Sequence, residues 1–437
     1  MAKRGNHPIK THSQHIGLKK ELGLFTTTVY GVGIILGAGI YVLVGKAAGV
    51  AGNSVWISFL IAALVAAFTG LSYAELSSMF SRDSGEYYYA LKSFGRRIAF
   101  VIGYLVIATG VIAAAAVALG FSGYFSSLLN LNHIVYITLG VILLFSIVNF
   151  IGIKQSAWLN IFFTVIETGG LLAIIAFGLK YIGKVNYLES VDGASGVLSA
   201  AALIFFAFIG FESIVKLSEE TKNAKKIIPK ALILSIIITT VIYVLVALSA
   251  ISILGWEQLA ASKAPLADVA AAVWGSNAFL VLAIIALFST ANTVLIILIA
   301  TSRLVYGMSE SKCLPSFLSK VHPQTRTPYF AVIAVMIMAM LFGLLGDISF
   351  VAGATDFAVF LTFAAVNLSV IVLRYTKPKL KRDFKIPLNI GRLPLLPVLG
   401  ALTSLFMIFH LEWNVILLGL GITALGFVFE WIFRNRK

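Results

Sequence analysis

Tyr30-Gly31-Val32-Gly33-Ile34-Ile35-Leu36-Gly37-Ala38-Gly39-Ile40-Tyr41 places four glycines within nine residues of an otherwise apolar run. Residues 24–48 around it are long enough for a membrane span, which needs roughly 20 mostly apolar residues. Glycine loosens a helix by about 1 kcal/mol relative to alanine, so four of them at mid-depth predict a helix that comes apart there. A second run, Phe205-Phe206-Ala207-Phe208-Ile209-Gly210-Phe211-Glu212-Ser213, sits at mid-depth of residues 195–217 and ends in a carboxylate. A carboxylate at a helix centre costs about 2.5–3.5 kcal/mol on insertion scales. Unwound backbone within a membrane persists only where it is buried in protein or lines a cavity. Close packing through small faces explains the glycines taken alone. It does not explain two interrupted spans.

Composition agrees with a membrane class. The 437 residues are 59% hydrophobic and 12% charged, against about 45–50% apolar and about 25% charged in soluble domains. A soluble enzyme, a disulfide-stapled domain and a disordered scaffold are excluded together. One cysteine, Cys313, excludes an internal disulfide and a thiolate metal cluster. Apolar runs predict twelve spans, near 24–48, 54–80, 97–128, 133–152, 157–180 and 195–217, then 229–254, 277–307, 329–345, 349–373, 394–410 and 413–433. No stretch before residue 20 reads as a cleaved signal peptide. With both termini inside, 29 of the 33 Lys and Arg fall on the cytoplasmic side, and only Lys180, Lys184 and Lys263 fall outside. That asymmetry is the positive-inside signal. The net charge of +15 is therefore topological, and no aromatic-interleaved basic groove points to nucleic acid. The outer segment 256–276 reads as an amphipathic lid or an interfacial helix.

Gly39 and Gly210 lie 171 residues apart, each in the first span of a set of five. Five spans starting inside and five starting outside are oppositely oriented, and interrupted segments at matching positions point to a transporter site between inverted repeats. The residues then resemble a family. Gly31 to Gly45 is similar to the first-span signature of the amino acid–polyamine–organocation (APC) superfamily. Tyr73 to Phe80 with Ser84 to Tyr89 resembles its span-two exit. Phe205 to Ser213 with Glu219 to Asn223 and Ile228-Pro229-Lys230 is the most specific match, and Ser302 to Met308 with Val321 to Pro328 resembles the span-eight exit. The resemblance implies an all-α integral membrane protein of twelve helices. It has a five-plus-five inverted repeat, broken helices 1 and 6, and two peripheral helices. Its parts are then a cytoplasmic tail (1–21), a first repeat (22–180), a second repeat (194–374) and spans 11–12 (393–433).

Breaking span one frees backbone N–H groups near Gly37, Ala38 and Gly39, beside Ile35, at the positive end of a half-helix that suits an α-carboxylate. Breaking span six leaves carbonyls near Phe206, Ala207 and Ile209 for an α-ammonium. Phe208 reads as an aromatic gate or a packed core ring. Many family members have Thr or Ser where this chain has Ala38, which leaves the carboxylate to backbone donors. Glu167, about 16 Å into span five at about 1.5 Å per residue, is a candidate proton carrier; a structural carboxylate, bonded to a hydroxyl or to Lys46, is the alternative. The cationic amino-acid transporter branch has a lysine in a similar context, of opposite charge. Glu212 reads as a helix cap or gate. Glu75 reads as an inner-gate ion pair with Arg303, and Asp356 as water-exposed in an outer vestibule. Ser289, Thr290 and Asn292 offer oxygens for a sodium ion, against the usual bonding of such hydroxyls to their own helix.

His7, His12 and His15 fall in the basic tail, and no Ser/His/Asp grouping, phosphate loop or metal spacing appears. The reading is a non-enzymatic amino-acid permease of the cell membrane. Its coupling ion is a proton or sodium, it needs no cofactor, and no oligomeric state follows. Sodium coupling, exchange, a polyamine substrate and a non-transporting amino-acid sensor stand as alternatives.

Overall fold

A computed structural model describes residues 22–80, 85–151, 157–219 and 221–434. The tail 1–21, with its three histidines, lies outside them. The chain is nearly all helix, because its long apolar runs must satisfy every backbone hydrogen bond internally. In order come α1 (Leu24–Leu36), α2 (Gly39–Ala51), α3 (Val55–Met79), α4 (Gly85–Phe94) and α5 (Arg96–Leu129). Next are α6 (Ile134–Ile151), α7 (Ala157–Gly178), α8 (Gly193–Ile204) and α9 (Ala224–Leu254). Two short helices, α10 (Trp256–Ala261) and α11 (Pro265–Trp274), lead into α12 (Ser276–Glu310), α13 (Tyr329–Gly343) and α14 (Ile348–Thr376). A small hairpin, β1 (Asn389–Ile390) and β2 (Leu393–Pro394), precedes α15 (Leu395–Ile408) and α16 (Trp413–Arg434).

Among the described residues, eight helical stretches are long and apolar enough to cross a membrane, and five further apolar helices are shorter. The protein is thus a multi-pass membrane protein. Burial divides the helices into two kinds. The most hydrophobic window of α14 is 72% buried and that of the α8 stretch 67%, whereas that of α16 is 22% buried. A helix that is apolar all round yet exposed on most of its surface faces lipid, so α16 is peripheral and α14 is central. The segment after α9 is no free lid: Leu259, Leu266 and Val269 are buried, and Gly45 of α2 packs so closely on the Leu259 carbonyl that a Cβ would collide with it.

Candidate functional site

The helix α1 stops at Leu36 because Gly37 takes φ 18°, ψ −166°, and α2 restarts at Gly39. No side chain caps the new N-terminus, so the first N–H groups of α2 lack an intrahelical partner. The second interruption is longer. Beyond Ile204 the chain tightens into a 3₁₀ turn, Phe205–Phe208, extends at Ile209 (φ −60°, ψ 136°) and continues as 3₁₀ helix over Phe211–Glu219. Gly210, at φ +123°, makes the corner between them, a conformation that side-chain-bearing residues rarely adopt. Glu212 turns its Oε2 back onto the Gly210 N–H at 2.8 Å.

The two breaks interlock. A Cβ on Gly39 would lie 2.5 Å from the Ala207 Cα, and one on Gly210 would lie 2.7 Å from Ile34 Cγ2. Other glycines of the first run serve packing, Gly31 against Ser235 and Ile214, Gly33 against Thr164. Tyr243 of α9, buried completely, reaches both breaks: its hydroxyl lies 2.6 Å from the Ile35 carbonyl, 3.1 Å from that of Leu36 and 2.9 Å from that of Ala207. Phe208 stacks edge-on against the Tyr243 ring at 5.3 Å and is fully buried, so it is a core ring in this conformation. Ile35, Ala38, Phe206 and Ala207 are also buried, and Ile209 is half-buried. Sequence reasoning missed Tyr243, because a tyrosine in an apolar helix reads as core.

Glu167 of α7 is buried and accepts from Ser289 Oγ of α12 at 2.7 Å. Its carbonyl accepts from the Tyr41 hydroxyl at 2.7 Å, two residues into α2. The hydroxyl alternative thus describes its contact, and Lys46 is exposed. Thr290 Oγ1 donates to the Ala286 carbonyl at 2.7 Å, the self-bonding usual for hydroxyls in such helices.

Glu75 corrects the expected gate. Its partner is not Arg303, whose Nη1 faces Ser302 Oγ at 3.5 Å, but Arg374 at the end of α14. Arg374 Nε donates to Oε1 at 2.9 Å and Nη2 to Oε2 at 2.5 Å. Arg382 Nε stands 3.3 Å from Oε1, and the Ile386 N–H donates to Oε2 at 2.9 Å. The pair is sealed, with Glu75 at 0% and Arg374 at 4% exposure. Both arginines lie in the basic run 374–392, which gave no sign of a partner because it counts as topology. On the surface beside them, Lys225 bonds to Asp383 at 2.6 Å and holds that carboxyl below its ordinary value. Asp356 corrects a second expectation: it is fully buried, not exposed in a vestibule.

Comparison with known proteins follows from this geometry. The family model described as amino acid permease matches residues 22–420. The branched-chain amino acid permease BcaP of Bacillus subtilis is 33% identical over 440 residues, covering 96% of this chain and 94% of the relative. The methylthioribose transporter of the same organism is 30% identical over 447 residues, covering 97% and 93%. Cationic amino acid transporter 4 of Mus musculus is 29% identical over 395 residues, 85% of this chain and 62% of the relative.

Proposed function

The chain belongs to the amino acid permease family, and from that premise we propose that it is a secondary active transporter carrying amino acids across the cell membrane by alternating access, coupled to protons. As a permease it is no enzyme. The observation that carries the reading is the contact of two helix breaks at Gly39 and Ala207. There the backbone alone offers both charges that a zwitterion needs. The uncapped start of α2 presents N–H groups and a positive dipole end to a carboxylate. The carbonyls of Phe206, Ala207 and Ile209 can accept from an ammonium. The side chains flanking the breaks, Ile35, Phe206, Phe208 and Ile209, are apolar, which suits an apolar substrate side chain, in keeping with the relative named as a branched-chain permease.

In this reading α1 and α2 form one span, α8 with its 3₁₀ continuation forms the sixth, and twelve spans result with both termini cytoplasmic. Residues 22–180 and 194–374 are the inverted repeats, with 393–433 peripheral. Glu167 is the proton carrier. Ser289 can donate to its charged form and accept from its neutral form, so the contact survives either state. The Glu75–Arg374 pair belongs to the inner side.

Purified protein in liposomes tests this. Counterflow of a labelled amino-acid panel at two pH values, with and without sodium, should show exchange of apolar amino acids that needs no sodium and net uptake driven by an inward proton gradient. Glu167→Gln should keep counterflow and lose the response to the gradient. Binding without flux for every amino acid would leave a sensor, and unaltered gradient response in the variant would remove Glu167 from the coupling.

A further inference from the structure

Two buried carboxylates meet α14 or stand on it, and they are treated in opposite ways. Glu75, packed against the Arg374 end of that helix, is met by two guanidiniums and a backbone N–H. Asp356, on the helix itself, is equally buried at 0% exposure. Neither of its oxygens has a hydrogen-bond partner among the described residues, although the Phe206 N–H is turned toward it. A buried charge persists only when paired or coordinated, and each unsatisfied buried group needs an explanation.

Among the described residues, no counter-charge faces it from the elements packed on α14. The elements packed on α14 are α3, α4, α5, α8, α15, α16, β2 and the turn Phe205–Phe208. Their charged groups gather at the Arg374 end. Glu75 binds Arg374, Glu86 binds Tyr73 of α3 at 2.9 Å, and the Lys92 carbonyl accepts from Lys377. Arg96 and Arg97 open α5 beside them, and Glu430 and Arg434 close α16 where Phe433 packs on Phe100. Arg374 is 18 residues past Asp356, about 27 Å along a helix. Toward the other end, Asp347 is spent on capping α14, Asp192 is exposed before α8, and Glu412 is exposed in the turn between α15 and α16, beside His410. Of the tyrosines on these elements, Tyr124 donates to the Tyr41 carbonyl and Tyr104 packs on Phe429. In this conformation the carboxyl is therefore a neutral acid, holding its own proton.

Its position repeats that of Glu167. Glu167 lies in the last span of the first proposed repeat, bonded through its carbonyl to Tyr41 just after the first break. Asp356 lies in the last span of the second and faces Phe206 within the second break. We propose that Asp356 is a second proton-binding site of the transport cycle, the counterpart of Glu167 across the inverted repeat. This rests on the proton-coupled reading above. When the second break shifts and water reaches the carboxyl, its O–H bond gives the proton to that water. The carboxylate left behind accepts the Phe206 N–H and draws the turn toward α14. The same residue's carbonyl is an ammonium acceptor, so proton loss and substrate contact act on one peptide segment.

The test uses the full chain in liposomes, with wild type, Asp356→Asn, Asp356→Glu and Glu167→Gln compared side by side. Asp356→Asn should keep counterflow within threefold of wild type and lose at least tenfold of the uptake driven by an inward proton gradient. Retained gradient-driven uptake overturns the proposal, while a loss confined to Glu167→Gln leaves the earlier reading standing. If Asp356→Asn loses counterflow as well, Asp356→Glu, which keeps a titratable group, should restore both activities. A glutamate variant no better than the asparagine one overturns the proposal. Absence of amino-acid counterflow in wild type would instead count against the transport reading itself.

Discussion

Gly39 is where one atom decides whether the site can form. Its α-hydrogen faces the Ala207 backbone, and a Cβ there would stand 2.5 Å from the Ala207 Cα, too close for either chain to yield locally. Overpacking costs about 1–3 kcal/mol, and about 1.4 kcal/mol is a factor of ten in affinity. Gly39→Ala should therefore weaken amino-acid binding, followed by calorimetry in detergent, by about tenfold or more, and unchanged affinity would show that the breaks need not touch. The residue was legible because glycine in an apolar span has few uses. Tyr243 was not, since nothing in Ile242-Tyr243-Val244 distinguishes a core ring from one whose hydroxyl meets three carbonyls. Asp356 was legible as an acid within a span and misplaced as a wet one. Depth along a helix follows from counting residues; the direction a side chain faces does not.

Among elements, α14 carries the most consequence. It is the most buried of the long helices, and its end is clasped to α3 through Glu75 and Arg374. Removing one partner from a buried ion pair costs about 3–5 kcal/mol, because the other is left uncompensated. Glu75→Gln should accordingly lower the thermal midpoint in detergent clearly, and Glu75→Gln combined with Arg374→Met should recover part of the loss. A single variant as stable as the wild type would mean that the pair contributes nothing. The pairing escaped sequence reading because its partners are 299 residues apart. Arg303, nearer in the expected topology, offered an equally plausible charge. Helix interruptions, by contrast, are local events written in adjacent residues: α1 and α2 part between Gly37 and Gly39, and the corner beyond α8 falls at Gly210, two residues before Glu212.

For the whole molecule, the distribution of basic residues is the testable quantity. With Cys313 replaced by alanine the chain has no thiol. A Lys184→Cys exchange should then react with an impermeant maleimide in intact cells, and Lys379→Cys only after permeabilisation; equal labelling of both would refute the orientation. The membrane class was legible because it depends on a sum over many residues, in which single errors cancel; the orientation rests on the same kind of sum, and the labelling tests it. The meeting of distant segments was not, because it depends on pairs. The Tyr243 hydroxyl is such a meeting, and it carries one proton for three acceptors. It can be centred on one carbonyl or shared between two, and all three stand within 3.1 Å. The phenol thus keeps one hydrogen within reach of both interrupted segments, so a small displacement of either backbone need not strand its donor.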